Sequence, residues 1–568
     1  MDVDGSVTAT SSFEVTGRYL NIPVRSGSPF RRVTVTIGDV ERAFDIELAE
    51  GEPDWWAFHD LGPVAGGTVT VGIDSADSAD ALSAIHQSDE IVGAESTYRE
   101  ARRPQLRFSA RRGWLNDPVG LVYFEGEYHL FYEHNPYGVS LGHPANAETG
   151  IWGNASWGHA VSPDLVHWQE LPIALYPDAA GSIYSGSAVV DRNDTAGLRT
   201  GSAPALIAFY TSAGTPFTQC LAVSNDRGRT WRKYEGNPVI PSPEKQSRDP
   251  KVAWHAATGR WVMVLYLDRY DREAPADLAT TEISSFGVYT SPDLITWEKT
   301  SEFVVPGDTE CPGLFELSIQ ENPGESRWIA HGAKGSYLVG SFDGRVFTPE
   351  SGPHTLNEGN CFYAAQTFAD IPVSDGRRIL IPWGTAWATP PAQAPLFAGM
   401  PFSQSMGLPV ELTLHSTEDG VRLFANPVRE LETLRESTTR IVQGPLQPGE
   451  DPLSSLTGEL WEIEADMELG DASRLVFELR GTPVTYDTAR REISCGDRTA
   501  SLAPVDGRIR LRIFVDRTAI DIFGGDGRLY MPMGVDLSGG GRSLSLRAEG
   551  GGARIHRLVV HRLASAWE

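Results

Sequence analysis

One short segment occurs four times along the chain. It reads Ser162-Pro-Asp-Leu-Val-His-Trp168, Ser224-Asn-Asp-Arg-Gly-Arg-Thr-Trp231, Ser291-Pro-Asp-Leu-Ile-Thr-Trp297 and, more weakly, Ser341-Phe-Asp-Gly-Arg-Val-Phe347. Each copy follows an alternating or apolar strand-like run (WGHAV, CLAV, FGVYT, YLVG) and ends in an aromatic residue that opens another. Ser and Asp side chains bond the backbone of tight turns, so the unit is strand, turn, strand. A strand–turn–strand unit recurring roughly every 50–70 residues points to a repeated all-β architecture.

A second series is interleaved with the first. It runs Asn116-Asp117-Pro118, Tyr184-Ser-Gly-Ser187, Arg248-Asp249-Pro250, Glu310-Cys311-Pro312 and Gly359-Asn-Cys-Phe-Tyr363. Apolar strands such as YHLFYE, ALIAFYT, WVMVLYL and RWIAHGA lie between the two series. Each unit therefore reads as a polar motif opening a strand, two middle strands, then the turn and an outer strand. Five such units predict a five-bladed β-propeller, the last blade having lost the Ser-x-Asp turn. The innermost strands of a propeller line its central channel. The period alone thus predicts that Asp117, Asp249 and Glu310 meet in one axial pocket.

The flanks differ. Residues 1–100 read as a small N-terminal β domain plus linker, the propeller as 101–425, and residues 440–568 as a C-terminal β-sandwich. Apolar residues at helical spacing from Asn426 predict a short linking helix over 426–439.

Composition bounds the partners. The chain has 568 residues, with 75 Asp and Glu against 48 Lys and Arg, a net charge of −27. So acidic a surface argues against nucleic acid and anionic membrane surfaces and suits a neutral ligand. No run of about 18 apolar residues predicts a membrane helix. The start, Met-Asp-Val-Asp-Gly, lacks a basic and then apolar leader. That leaves a cytoplasmic protein or a secreted one with its leader removed. Cys220, Cys311, Cys361 and Cys495 are scattered singly, which is neither a disulfide framework nor a zinc spacing. His129, His159 and His255 lack carboxylate partners at ligand spacing and read as structural. No metal and no cofactor are expected. The oligomeric state is left open.

The motifs Trp114-Leu-Asn-Asp-Pro118, Tyr184-Ser-Gly-Ser187, Arg248-Asp-Pro250, Glu310-Cys311-Pro312, Phe362-Tyr-Ala-Ala-Gln366 and the late strand Leu511-Arg-Ile-Phe-Val-Asp-Arg517 occur in that order. The set resembles glycoside hydrolase family 32: invertases, inulinases, levanases and related fructosyltransferases. The resemblance spans roughly 104–568 and implies a five-bladed propeller with a C-terminal sandwich. It also implies a retaining reaction at the C2 of a β-fructofuranosyl unit, with an oligo- or polysaccharide such as levan or inulin as substrate. Carried over residue by residue, Asp117 resembles the nucleophile, Glu310 the general acid/base and Asp249 the transition-state stabiliser. Trp114, Asn116, Glu133, Trp157, Tyr184, Ser185, Arg248, Cys361 and Trp383 become substrate-binding candidates, although Trp114 and Trp157 equally suit a core role.

The chemistry explains the residue types. Cleaving a ketosidic bond builds positive charge on C2 and the ring oxygen. One ionised carboxylate stabilises that charge and can bond C2; a second carboxyl must arrive protonated to release the leaving oxygen. Glu310 is therefore expected to have a raised pKa, and Asp249, beside Arg248, to stay ionised. Several positions depart from the family pattern: Val119 for Asn, Glu133 for Gln, Gly313 for Asp, Tyr184 for Phe and Cys361 for Asp. Glu133 adds a like charge that would raise a neighbour's pKa. The loop 139–152 is expected to shape the pocket rim. A fructosyltransferase shares the covalent intermediate, a propeller lectin would bind without turnover, and a pentosidase propeller also uses three carboxylates.

Overall fold

The computed structural model of the chain describes residues 9–62, 65–74, 79–142, 153–269, 284–385 and 394–567. It is almost entirely β. Five four-stranded sets follow one another, and their first strands are Gly113–Phe124, Ser182–Asp191, Arg248–His255, Gly313–Ile319 and Tyr363–Thr367. Within each set the strands lie in sequence order, and each pairs antiparallel with the next. The last two sets touch through a single parallel bridge, Ile319 to Leu414. The short strand Phe402–Ser403 pairs with Gly113 and Trp114 of the first set, so the two ends of the propeller are laced together.

The first and third copies of the repeated turn are built the same way. Asp164 Oδ1 accepts from the amides of Val166 and His167 at 3.1 and 2.8 Å, and Asp293 Oδ1 from those of Ile295 and Thr296 at 3.0 and 2.7 Å. The closing indole reaches back: Trp168 Nε1 donates to Leu165 O, Trp297 Nε1 to Leu294 O and Trp231 Nε1 to Gly228 O. Leu165 and Leu294 take φ of 67° and 65°, where the second copy has Gly228 at 78°. A leucine there costs about 1–2 kcal/mol, which the bonds of the turn must offset. The Ser-x-Asp-x-x-x-aromatic pattern is therefore a wiring diagram, not a coincidence of composition.

Two smaller units flank the propeller. Ahead of it, the strands Ala9–Glu14, Thr68–Ile73, Phe30–Ile37 and Val40–Glu47 form one sheet, and Trp55–Asp60, Tyr19–Val24 and His86–Ser88 form another. Their core takes in Tyr137 and Val139 of the propeller. Tyr137 stacks on Phe44 with ring centroids 3.6 Å apart, and its hydroxyl lies 3.0 Å from His59 Nδ1. Asn154 and Asp45 exchange two further hydrogen bonds. Of the loop expected at the pocket rim, residues 143–152 lie outside the described residues.

After the propeller come a seven-stranded and a five-stranded sheet around one apolar core. The junction is a buried ion network. Arg107 bonds both Asp516 and Asp521, while Asp516 also accepts the amides of Gln105 and Leu106. The helix expected over 426–439 is not present. The strand Gly420–Pro427 leads into a six-residue 3-10 turn, Arg429–Leu434, and then into the strand Arg435–Arg440, which already belongs to the sandwich. The buried residues Val428, Leu431 and Leu434 are three apart, the 3-10 period rather than 3.6. Among the described residues no helix is long and apolar enough to cross a membrane.

Candidate active site

The polar motifs sit where the inner strands are locally irregular. Register shifts fall between Leu115 and Pro118, Tyr184 and Gly186, Arg248 and Lys251, and Tyr363 and Gln366. A bulge bends a strand and re-aims a side chain, here at the same place in four sets. Asp249, Glu310, Cys311 and Ala364 all take positive φ, from 41° to 66°. Such backbone costs about 1–2 kcal/mol per residue and clusters where geometry serves chemistry. Gly186 is fixed by the same irregularity: a Cβ there would lie 1.9 Å from Phe209 O.

Three carboxylates converge around Cys311: Asp117 and Asp249 from two inner strands, and Glu310 from the segment just ahead of a third. The Cys311 Sγ lies 3.3 Å from Asp117 Oδ2 and 3.7 Å from Asp249 Oδ2, and its amide donates to Asp249 Oδ2 at 3.0 Å. The preceding residue is Glu310. Asp117 accepts from Asn116 Nδ2 at 3.1 Å and from Ser185 Oγ at 2.7 Å. The same two donors reach Glu133, at 2.7 Å each. Trp114 Nε1 donates to Asn116 Oδ1 at 3.0 Å and so fixes the amide's orientation. Asp249 is held from behind. Its amide donates to Thr211 Oγ1 at 3.1 Å, and Thr211 donates to Gln219 Oε1 at 2.8 Å.

Glu310 is gripped on both oxygens. Arg248 Nε donates to Oε1 at 3.1 Å and Tyr363 OH to Oε2 at 2.5 Å. Arg248 also holds Asp268 at 3.1 Å and lies over the Tyr266 ring. Tyr363, Thr211, Asp268 and Tyr266 carry no site role in the sequence reading. Tyr363 opens the fifth inner strand at the matching motif, which was the available signal.

The charge states differ from expectation. Burial would raise Glu310, but the Arg248 guanidinium and the Tyr363 hydroxyl outweigh it and hold the carboxyl below its usual value. Arg248, far from Glu310 in sequence but paired with it in the fold, reverses the expected rise. Burial pushes Asp249 up to about 7, Glu310 adding to it, although Arg248 opposes. Burial also raises Asp117, with the bonds from Ser185 and Asn116 opposing.

Two of the expected binding residues, Trp157 and Cys361, lie elsewhere, and Tyr184 is buried next to Ser185. Trp157 is fully buried between Phe131 and Tyr210, and its Nε1 donates to Tyr184 O. Tyr184 packs with Ala155, Ala213 and Phe217. Cys361 faces the sandwich: its amide donates to Pro532 O, and its thiol lies where a side chain on Gly534 would point. Trp114 and Trp383 are buried against each other behind the site, ring centroids 6.1 Å apart. The departure at Gly313 has a steric reason, because the His331 ring fills the space: a Cβ on Gly313 would meet its Nε2 at 1.9 Å. His129 and His159 bond each other, and His255 bonds Thr258, as structural residues do.

Residues 107–427 match the glycosyl hydrolases family 32 N-terminal domain, and residues 430–561 the family 32 C-terminal domain. The chain is 37% identical over 516 residues to a levanase of Bacillus subtilis (strain 168), covering 83% of this chain and 72% of that one. It is 31% identical over 560 residues to an extracellular exo-inulinase of Aspergillus ficuum, covering 83% and 96%. Among solved structures, exo-inulinase from Aspergillus awamori superposes with a TM-score of 0.70 at 28% identity, covering 83% of this chain and 100% of that one. With both family domains matched in order along its length, the chain belongs to glycoside hydrolase family 32.

Proposed function

We propose that the chain hydrolyses the β-fructofuranosyl linkages of fructans with retention, through a covalent fructosyl intermediate on Asp117. It is a fructan-acting glycoside hydrolase of the β-fructofuranosidase type. The observation that carries the mechanism is the convergence of Asp117, Asp249 and Glu310 around Cys311 from three different sets of the repeat that are far apart in sequence.

Asp117 is the nucleophile. Three donors, from Ser185, Asn116 and Cys311, support its charge while it waits for C2. Glu310 protonates the leaving oxygen and then deprotonates the attacking water. Glu310 is ion-paired with Arg248, so the acid step needs that pairing to loosen and the carboxylate to take up a proton from solvent first. Asp249 binds hydroxyls of the fructosyl ring, where hydrogen bonds tighten as the oxocarbenium character grows.

Products from levan, inulin and sucrose test this reading. Free fructose or fructo-oligosaccharides are expected. A cyclic dianhydride as the main product would make the protein a fructosyltransferase. Activity on aryl arabinofuranosides with none on fructans would overturn the substrate class.

A further inference from the structure

Glu133 is buried beside Asp117, and its surroundings count protons. It is 2% exposed on the strand Glu127–Asn135. Ser185 Oγ lies 2.7 Å from Glu133 Oε1 and 2.7 Å from Asp117 Oδ2. A serine hydroxyl has one proton, so it can donate to only one of them. Both contacts have the length of a made O–H···O bond. The other therefore needs a proton supplied from a carboxyl group. Asn116 cannot supply it. Its two amide hydrogens are spent on Glu133 Oε2 and Asp117 Oδ1, and the indole of Trp114 on its Oδ1 prevents a flip.

We infer that Glu133 holds a proton in the resting enzyme and donates it to Ser185 Oγ, which turns the serine's own proton onto Asp117 Oδ2. Glu133 is then a positioning residue. It acts through Ser185 to keep Asp117 the ionised member of the pair, as a neutral amide in that place would. The proton belongs on Glu133 rather than Asp117 for two reasons. Asp117 is the more exposed and takes a further contact from the Cys311 thiol. Glu133 is pushed well above the usual carboxylate range, by burial first and then by the Asp117 charge. The other charges facing it give no relief. Asp249 is a carboxylate, and Glu310 beyond it is paired with Arg248. On its own strand His134 bonds Trp114 O and is lowered by burial to about 4, and on the adjoining strand His159 is lowered well below its usual value.

Infrared difference spectroscopy of wild type minus Glu133→Gln at neutral pH, in H2O and D2O, reads the proton directly. The expected spectrum has the carbonyl stretch of a protonated carboxylic acid that shifts in D2O. Carboxylate stretches in its place would overturn the inference. The functional consequence rests on Asp117 as nucleophile. Glu133→Leu should lose about 100-fold or more in kcat, and Glu133→Gln should recover at least about tenfold of that, because its amide donates to Ser185 as the acid does. A Gln variant as inactive as the Leu variant, with circular dichroism unchanged, would mean that Glu133 works as a charge. If Asp117→Asn instead retained activity, the nucleophile assignment would fail while the infrared result still stood.

Discussion

The outer turns and the axial pocket use the same residue types to opposite electrostatic ends. At the rim, burial is the largest single influence on Asp293 and raises it, but two backbone amides and the Ser291 and Thr296 hydroxyls together outweigh it and hold the carboxyl below its usual value. Asp343 is lowered in the same way by the amides of Val346 and Arg345. At the axis, burial dominates and the neighbours are other carboxylates, so Asp117, Glu133 and Asp249 are all raised. A carboxylate with dedicated donors beside water stabilises a fold. Carboxylates crowded together away from water store a proton and a cost, which is what an acid–base site needs.

The contrast breaks most sharply on activity. Asp117→Asn and Glu310→Gln should each lower kcat by at least about 1000-fold on levan or inulin, with the fold unchanged by circular dichroism. Near wild-type turnover in either would remove the axial carboxylates from the chemistry. Arg248→Gln has a smaller effect but a distinctive one. It removes the cation that lowers Glu310, leaving burial to push the acid up. A general acid works below its pKa, so the alkaline limb of kcat/KM should move to higher pH as its height falls. A limb that stays in place would show that Glu310 is not the group titrating there.

Stability reverses the sign of the comparison. Asp249 rises from 3.8 to about 7 on folding, so the folded state holds its proton over that window and the unfolded state does not. Its contribution is fully present below about pH 4 and is lost as the pH rises through about 7. Asp249→Asn avoids the buried charge. It should match wild type near pH 4 and exceed it near pH 8 by at most about 4 kcal/mol, while losing activity. The ceiling will not be reached in full, because Arg248, 4.0 Å away, loses one of three acidic neighbours. Urea midpoints at the two pH values measure it, and a variant less stable at high pH would mean that Asp249 is paired well enough to stay charged cheaply.

The rim was legible because its interactions are local: Ser162 to Trp168 contains every group that closes its turn. The axial convergence was legible through the repeat frame, which places residue 117 beside 249 and 310 without any knowledge of the contacts. Orientation was not. Trp114 and Trp157 look alike in sequence, yet one holds Asn116 and the other fills the gap between sheets, because a bulge decides which way a side chain turns. Cys361 sits in a matching motif but faces the sandwich, a contact made with residues about 170 positions later. Protonation was least accessible, since it depends on whether Arg248 reaches Glu310 and on a single hydroxyl shared by two acids.

The smallest expected effect tests the rim alone. Asp293→Ala removes the acceptor of the Ile295 and Thr296 amides while leaving the strands and the pocket untouched. Leu294 would keep its positive φ with fewer bonds to hold it. Losing a side chain that caps backbone amides costs about 1–2 kcal/mol, read as a lower urea midpoint at pH 7. The lowered pKa sets the pH dependence. The stabilisation by Asp293 is present above its unfolded value of 3.8 and fades as the pH falls through the lower folded value. Wild type and variant should therefore converge in acid, the reverse of the Asp249 pair. kcat/KM should not move, because the turn is at the far edge of its sheet from the inner strand that carries Asp249. A variant that lost activity along with stability would show that strain at the rim reaches the axis through the sheet, and the two regions would then have to be treated as one.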